Sequence, residues 1–145
     1  MNFNDNIIST FKYININLTE KEEKSFESYM KLLLEWNNKI NLTAITTQDE
    51  IILKHFADSC SVIKYIKNND RIIDIGTGAG FPGIPLKIIN KDIYITLMDS
   101  LNKRVNFLNE VISKLELENI DAVHSRAEDL AKNKEFREMY DVAVS

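Results

Sequence analysis

The sequence predicts an α/β protein in which a parallel sheet follows a set of N-terminal helices. Short β-branched runs alternate with helical stretches from Arg71 onward, which is typical of βαβ units. The first run leads into "RIIDIGTGAGFPGIPLKII", which contains all four glycines and both prolines of the 145-residue chain. Glycine reaches conformations closed to other residues and proline fixes φ, so this segment is predicted to hold a special backbone. We place a helical region at 1–69 and the sheet at 70–145.

The N-terminal region contains two clear helical patterns and a weaker one. Thr19 and Glu22 have capping-box spacing at the start of a predicted helix over 20–39. Apolar residues at three- and four-residue steps predict a second, amphipathic helix over 48–66. The weaker signal covers 4–13. We expect these helices to pack on or beside the sheet.

Four strands and three helices are predicted after residue 70. The strands lie near 71–75, 93–98, 120–125 and 141–145, and the helices lie at 82–89, 101–117 and 127–139. Right-handed crossovers then give parallel strands in the spatial order three-two-one-four. A parallel sheet that stops at its fourth strand has an open edge, so we expect the chain to be a fragment of a longer protein.

Composition narrows the class of protein. Hydrophobic residues make up 44% and charged residues 28%, which is ordinary for a globular domain. The start lacks a signal-peptide pattern and no segment reaches about 18 apolar residues, so we expect a cytoplasmic protein that binds no membrane. Cys60 is the only cysteine, which excludes an internal disulfide and a cysteine-rich metal site. The net charge of −4 means that any nucleic-acid partner must meet a local basic patch.

The glycine-rich loop between the first strand and the next helix is the candidate binding site. A strand, a glycine loop and a helix together present backbone N–H groups to an anionic or dipolar ligand. The dinucleotide fingerprint requires glycines at its first, third and sixth places, and here these are Gly76, Gly78 and Phe81. The loop instead reads G-x-G-x-G through Gly80, with Asp74 two residues ahead. This is the pattern of proteins that bind S-adenosyl-L-methionine and transfer its methyl group.

Acidic residues follow the predicted strands at the same edge of the sheet. Asp74 suits a cofactor with a cationic sulfonium, although it is also placed to cap the N–H groups of its own loop. Asp99 is the last residue of the second strand, 19 residues beyond Gly80. A carboxylate there can accept hydrogen bonds from both ribose hydroxyls, or it can cap the next helix. Ala127 and Glu128 follow the third strand, where an adenine would lie or where the helix dipole would favour acidic residues.

A longer set of motifs resembles one known family. "DIGTGAGFPGIPL", with "WNNKINLTAI" and "HFADS" before it and "DSLNKRVNFL" and "SRAED" after it, is similar to the bacterial 16S rRNA methyltransferases. That family is called glucose-inhibited division protein B, or ribosomal small-subunit methyltransferase G. The resemblance runs from Trp36 to Ser145. It implies a Rossmann-like class I S-adenosylmethionine-dependent methyltransferase fold, of which 70–145 would be the first, incomplete part.

The resemblance also implies an activity and several contacts. The family methylates N7 of a guanine in 16S rRNA within the small ribosomal subunit, and a monomer is expected. By resemblance, Gly76 and Phe81 contact the cofactor from its loop, while Ala127 and Glu128 contact the adenine. In the family the last strand leads to an arginine and further strands, so the 145-residue chain is expected to transfer far less than a longer form.

No catalytic residue or metal ligand is assigned from the sequence. Guanine N7 has a free lone pair and no proton, so its methylation needs alignment and no general base. His55 and Asp58 share a helical face, and a packing role for the histidine is favoured over one beside the cofactor or target base. Two alternatives stay open: an NAD-dependent oxidoreductase of the Rossmann type, and a non-enzymatic truncated remnant.

Overall fold

A four-stranded parallel sheet forms the centre of the structure, a computed structural model that describes residues 2–133 and 139–145. Its strands are β1 (Arg71–Ile75), β2 (Tyr94–Asp99), β3 (Ile120–His124) and β4 (Val142–Val144). They lie in the order β3-β2-β1-β4, and every pairing is parallel. The predicted strands and their order are therefore confirmed. All carboxyl ends of the strands meet at one edge of the sheet.

The described helices agree with the predicted ones in position but not always in length or type. The N-terminal part contains α1 (Phe3–Tyr13) and α2 (Glu20–Asn37), followed by α3 (Gln48–Glu50), a π-helix (Ile51–Ala57), α4 (Asp58–Cys60) and a 3₁₀ turn (Ile63–Tyr65). The sheet region contains α5 (Gly83–Ile89), α6 (Asn102–Lys114) and α7 (Ala127–Lys132). The predicted extension of α7 through 134–138 falls outside the described residues. No described helix is long and apolar enough to cross a membrane.

Two of the predicted helices can be compared with the structure in detail. The capping box at α2 is present as predicted, with Glu22 N donating to Thr19 Oγ1 and Thr19 N donating to Glu22 Oε1. The segment over 48–66, however, is not one α-helix, because Ile51–Ala57 form a π-helix and Ile63–Tyr65 form a 3₁₀ turn. A π-helix widens the turn by one residue, and such turns occur frequently at functional sites.

One hydrophobic core joins the N-terminal helices to the sheet. Phe11, Phe26 and Phe56 are fully buried and form a chain of ring contacts, with centroids 5.2 and 4.9 Å apart. The same cluster includes Ile84 of α5 and Leu97 of β2. Truncating one of these rings to alanine would cost about 3–5 kcal/mol. The N-terminal helices are thus packed where they fix the position of the glycine loop.

The opposite face of the sheet has a smaller cluster. Ile73 and Met98 are buried there, and Tyr140 packs against them. The Tyr140 hydroxyl donates to Thr96 Oγ1 over 3.0 Å. Side chains alternate between the two faces of a strand, so Asp74, next to Ile73 in β1, points to the helix-covered face.

Candidate functional site

The loop between β1 and α5 is built around three glycines in left-handed conformations. The φ angles are +66° at Gly76, +60° at Gly78 and +102° at Gly80, which non-glycine residues rarely adopt. A Cβ at Gly76 or Gly78 would meet no atom within 4 Å, so open space lies beside both residues. The loop therefore has a bare backbone surface that a ligand can approach closely.

The loop is tied to the neighbouring strand through its backbone. Thr77 N donates to the carbonyl of Met98 over 3.0 Å, and Gly78 N donates to Asp99 Oδ2 over 2.9 Å. Both acceptors lie at the carboxyl end of β2. These two hydrogen bonds hold the loop at the carboxyl-terminal edge of the sheet, where the site was predicted from the sequence.

Asp74 is turned toward the base of the loop and the start of α5. Its side chain is fully buried, and Oδ2 accepts hydrogen bonds from Thr77 Oγ1 (2.7 Å) and Gly83 N (2.9 Å). Oδ1 is buried without a hydrogen-bond partner among the described residues. Burial raises the pKa of this carboxyl to about 7, with the bonds from Thr77 and Gly83 opposing the rise. The observed contacts are those of the loop-capping alternative.

Asp99 links the loop to the start of α6. It is almost fully buried, and Oδ1 accepts the N–H of Leu101 over 3.0 Å while Oδ2 accepts that of Gly78. Arg104 Nη1 lies 3.6 Å from Oδ1. A carboxylate oxygen offers about two lone-pair sites, so Oδ2, which accepts only from Gly78, retains one for a further donor such as a ribose hydroxyl.

Ala127 and Glu128 begin α7, just beyond the carboxyl end of β3. Both are exposed. Ser125 N donates to the carbonyl of Asp99 over 3.0 Å, which holds the chain entering α7 against the end of β2. The structure thus brings these residues to the same edge as the loop and Asp99.

Phe81 ends the loop in a ring stack that the sequence did not predict. Its ring lies parallel to that of His55, with centroids 4.3 Å apart and planes inclined by 9°. His55 Nε2 is 2.8 Å from Thr43 Oγ1, and partial burial lowers the pKa of this histidine, with the charge of Asp58 opposing. The π-helix therefore presents its histidine directly to the loop. These contacts agree with a packing role for His55, which touches the ring of Phe81 at the end of the loop.

Three further residues at the site were missed by the sequence reasoning. Tyr29 donates its hydroxyl to the carbonyl of Ala79 over 2.5 Å, Thr77 braces Asp74, and Arg104 pairs with Asp99. Thr77 and Arg104 are close in sequence to their partners, so a local reading would have found them. Tyr29 is 50 residues from Ala79 in the sequence, so no pattern of neighbouring residues predicts their contact.

A separate open groove of about 730 Å³ lies at the opposite, amino-terminal edge of the sheet. Its lining residues carry charges of both signs. The buried Lys87 there donates from Nζ to the carbonyls of Lys91 and Ile93, so two of its three N–H donors already have acceptors within the chain. The groove offers no feature that selects a ligand, and the glycine loop remains the candidate site.

Comparison with known proteins now decides the family. A family model described as rRNA small subunit methyltransferase G, or GidB, matches residues 22–145. The chain belongs to this family. The methyltransferase G of Lachnoclostridium phytofermentans is 53% identical over 147 residues, covering 100% of this chain and 61% of the relative. That of Desulforamulus reducens is 57% identical over 136 residues, covering 92% of this chain and 57% of the relative. The chain therefore spans about three fifths of the length of the curated methyltransferase G relatives it matches.

Solved structures support the predicted fold of this chain. A Plasmodium falciparum protein described as a protein-L-isoaspartate O-methyltransferase, solved in complex with S-adenosyl-L-homocysteine, has a TM-score of 0.59 at 18% identity. The match covers 99% of this chain and 72% of that protein. Coclaurine N-methyltransferase gives 0.54 at 13% identity, covering 97% of this chain and 48% of its own. The predicted Rossmann-like class I methyltransferase fold is confirmed.

Proposed function

We propose that this chain contains the cofactor-binding part of an S-adenosyl-L-methionine-dependent methyltransferase that acts on ribosomal RNA of the small subunit. The observation that carries the proposal is the match of residues 22–145 to the rRNA small subunit methyltransferase G family. The acceptor we propose is N7 of a guanine in 16S rRNA. We further propose 1–69 as a helical region and 70–145 as the first part of the methyltransferase domain, in a cytoplasmic monomer.

The glycine loop fits the proposed cofactor. Gly76 and Gly78 leave open space beside the backbone, and Gly80 completes the turn. We assign Phe81 to the same loop contacts. We keep Asp74 in the cofactor site because its buried carboxyl fixes the loop through Thr77 and Gly83. When it is ionised, its negative charge also disfavours a pyrophosphate. Phe81 also stands where the dinucleotide fingerprint needs a glycine, which disfavours NAD.

The adenosine part of the cofactor is assigned to the ends of β2 and β3. We assign Asp99 to the ribose hydroxyls, because its Oδ2 retains a lone pair while it accepts the N–H of Gly78. Ala127 and Glu128 lie exposed beyond β3, and we assign them to the adenine. This order along the edge follows from the strand order, because parallel strands present their carboxyl ends side by side.

The proposed chemistry places few demands on the side chains. S-adenosyl-L-methionine supplies an electrophilic methyl group on a cationic sulfur. Guanine N7 is a hydrogen-bond acceptor without a proton, so the chain needs no group to deprotonate it. The loop and Asp99 therefore act by binding and orienting, which converts a bimolecular step into an aligned one. No catalytic residue is assigned.

The proposed acceptor is structured RNA within the small ribosomal subunit. The net charge of −4 provides little overall attraction to polyphosphate, so short naked RNA is expected to bind weakly. Recognition would then depend on the shape of the RNA and on a local basic surface.

A methyl-transfer assay tests this proposal. The chain is fused to the part of the Lachnoclostridium phytofermentans relative that it does not match, and labelled S-adenosyl-L-methionine is supplied with small subunits that lack the modification. We expect label in 16S rRNA at a guanine N7, and far less with the 145-residue chain alone. Label in another RNA, in protein or in a small molecule, with 16S rRNA untouched, would contradict the proposed acceptor.

A further inference from the structure

The hydroxyl of Tyr29 reaches the glycine loop from helix α2. Tyr29 is fully buried, and its ring stacks on Phe56 with centroids 5.3 Å apart and planes inclined by 22°. It also lies 5.6 Å from the ring of Phe81. The ring is therefore held by aromatic neighbours on two sides, and its hydroxyl has little freedom to move.

That hydroxyl holds one end of a single peptide group. It donates to the carbonyl of Ala79 over 2.5 Å, while the N–H of the same peptide, on Gly80, donates to the carbonyl of Thr77 over 3.0 Å. Gly80 has a φ of +102° and no side chain to limit rotation. The bond from Tyr29 is the one hydrogen bond described for the carbonyl of Ala79, and its donor lies outside the loop.

The identity of residue 80 agrees with this contact. A Cβ at Gly80 would lie 2.7 Å from the Tyr29 hydroxyl oxygen and 2.6 Å from Ile84 Cδ1. Both distances are too short for real atoms. Glycine at this position thus permits the approach of the tyrosine as well as the turn of the loop.

The hydroxyl of Tyr29 keeps its proton at neutral pH. Burial, and secondarily the charge of Asp74, raise the pKa of Tyr29 well above its ordinary value. A neutral phenol has one proton to give, and the acceptor it meets is Ala79. The contact therefore links α2 to the loop at neutral pH.

We propose that Tyr29 is a positioning residue that fixes the Ala79–Gly80 peptide and so links cofactor affinity to helix α2. The proposal rests on the proposed function, since it names a residue that shapes the same site. Tyr29 does not touch the open space beside Gly76 and Gly78, and it acts through the backbone of the loop.

The test compares two tyrosine-to-phenylalanine variants of the same chain. Tyr29→Phe keeps the ring and removes the bond to Ala79, whereas Tyr140→Phe removes a comparable hydroxyl bond to Thr96 on the far face of the sheet. Affinity for S-adenosyl-L-homocysteine is measured by calorimetry at a temperature where both variants are folded. Hydrogen exchange of the Gly80 and Phe81 amides is measured in parallel.

We expect Tyr29→Phe to weaken the affinity by about threefold to tenfold, the effect of one hydrogen bond. The two loop amides should also exchange faster in this variant, while Tyr140→Phe should change neither quantity. Unchanged affinity and unchanged loop exchange in folded Tyr29→Phe would overturn the proposal, even if the melting temperature fell. If the wild-type chain bound no S-adenosyl-L-homocysteine, the proposed function would fail, and loop exchange would still decide whether Tyr29 fixes the peptide.

Discussion

Replacing Asp74 by asparagine changes how the stability of the protein depends on pH. The wild-type carboxyl is buried and has a pKa of about 7 in the folded chain, against an ordinary value of 3.8. Between these two values the unfolded chain has lost the proton that the folded chain retains. The free energy of unfolding therefore falls as pH rises through this window and levels off above about pH 7. The asparagine side chain of the variant has no proton to lose, so the variant lacks this contribution.

The size of the effect follows from the pKa difference. Each unit of pKa difference corresponds to about 1.4 kcal/mol, so the full window from 3.8 to about 7 represents on the order of 4 kcal/mol. Measurements between about pH 5 and pH 8 sample roughly 3 kcal/mol of it. Domains are stable by only about 5–15 kcal/mol, so a change of this size is readily measured. The amide oxygen of asparagine still accepts from Thr77 and Gly83, which preserves the shape of the loop.

Urea unfolding at several pH values measures the difference. The free energy of unfolding of Asp74→Asn minus that of wild type should rise by roughly 3 kcal/mol from about pH 5 to pH 8. Asp121→Asn, at an exposed position of β3, is the matched control and should keep the wild-type dependence. Parallel pH dependences for wild type and Asp74→Asn would mean that burial of Asp74 does not favour its protonated form.

Two further variants address the ligand site. Gly78→Asn should keep most of the stability, since asparagine tolerates a φ of +60°, but its side chain would fill the open space and lower affinity for S-adenosyl-L-homocysteine more than about tenfold in calorimetry. Unchanged affinity would mean that this space is not the cofactor site. Asp99→Ala should weaken the same affinity by roughly ten- to hundredfold, the effect of one or two charged hydrogen bonds. If Asp99→Ala had a native circular dichroism spectrum and an unchanged affinity for S-adenosyl-L-homocysteine, Asp99 would not be part of the cofactor site.

The sheet was predictable because its signals are local. β-branched runs mark the strands, and the preference for right-handed crossovers gives their order once β1 is joined to the glycine loop. The capping box of Thr19 and Glu22 is likewise a matter of spacing. The π-helix was not predictable, because apolar residues at helical steps do not distinguish its wider turn from an α-helix.

The direction of the site side chains was only partly predictable. A carboxylate two residues before a glycine loop is compatible with a contact to a ligand or to the loop, and the sequence left both open. The contact of Asp74 with its own loop requires a glycine at position 83. A Cβ there would lie 2.9 Å from Asp74 Oδ2 and would displace the hydrogen bond from Gly83 N. The Tyr29–Ala79 and His55–Phe81 contacts depend on tertiary packing of the N-terminal helices, which spacing along the chain does not encode.

A pair of calorimetric titrations of the wild-type chain, one with S-adenosyl-L-homocysteine and one with NAD, tests which cofactor the glycine loop binds. The glycine loop has open space beside Gly76 and Gly78 and ends at Phe81, where the dinucleotide fingerprint needs a glycine. It should therefore bind S-adenosyl-L-homocysteine and not NAD. Competition by S-adenosyl-L-methionine should place both sulfur compounds in one site. Binding of NAD with no binding of S-adenosyl-L-homocysteine, or binding of neither ligand, would contradict the assignment of this loop to a methyl-donor cofactor.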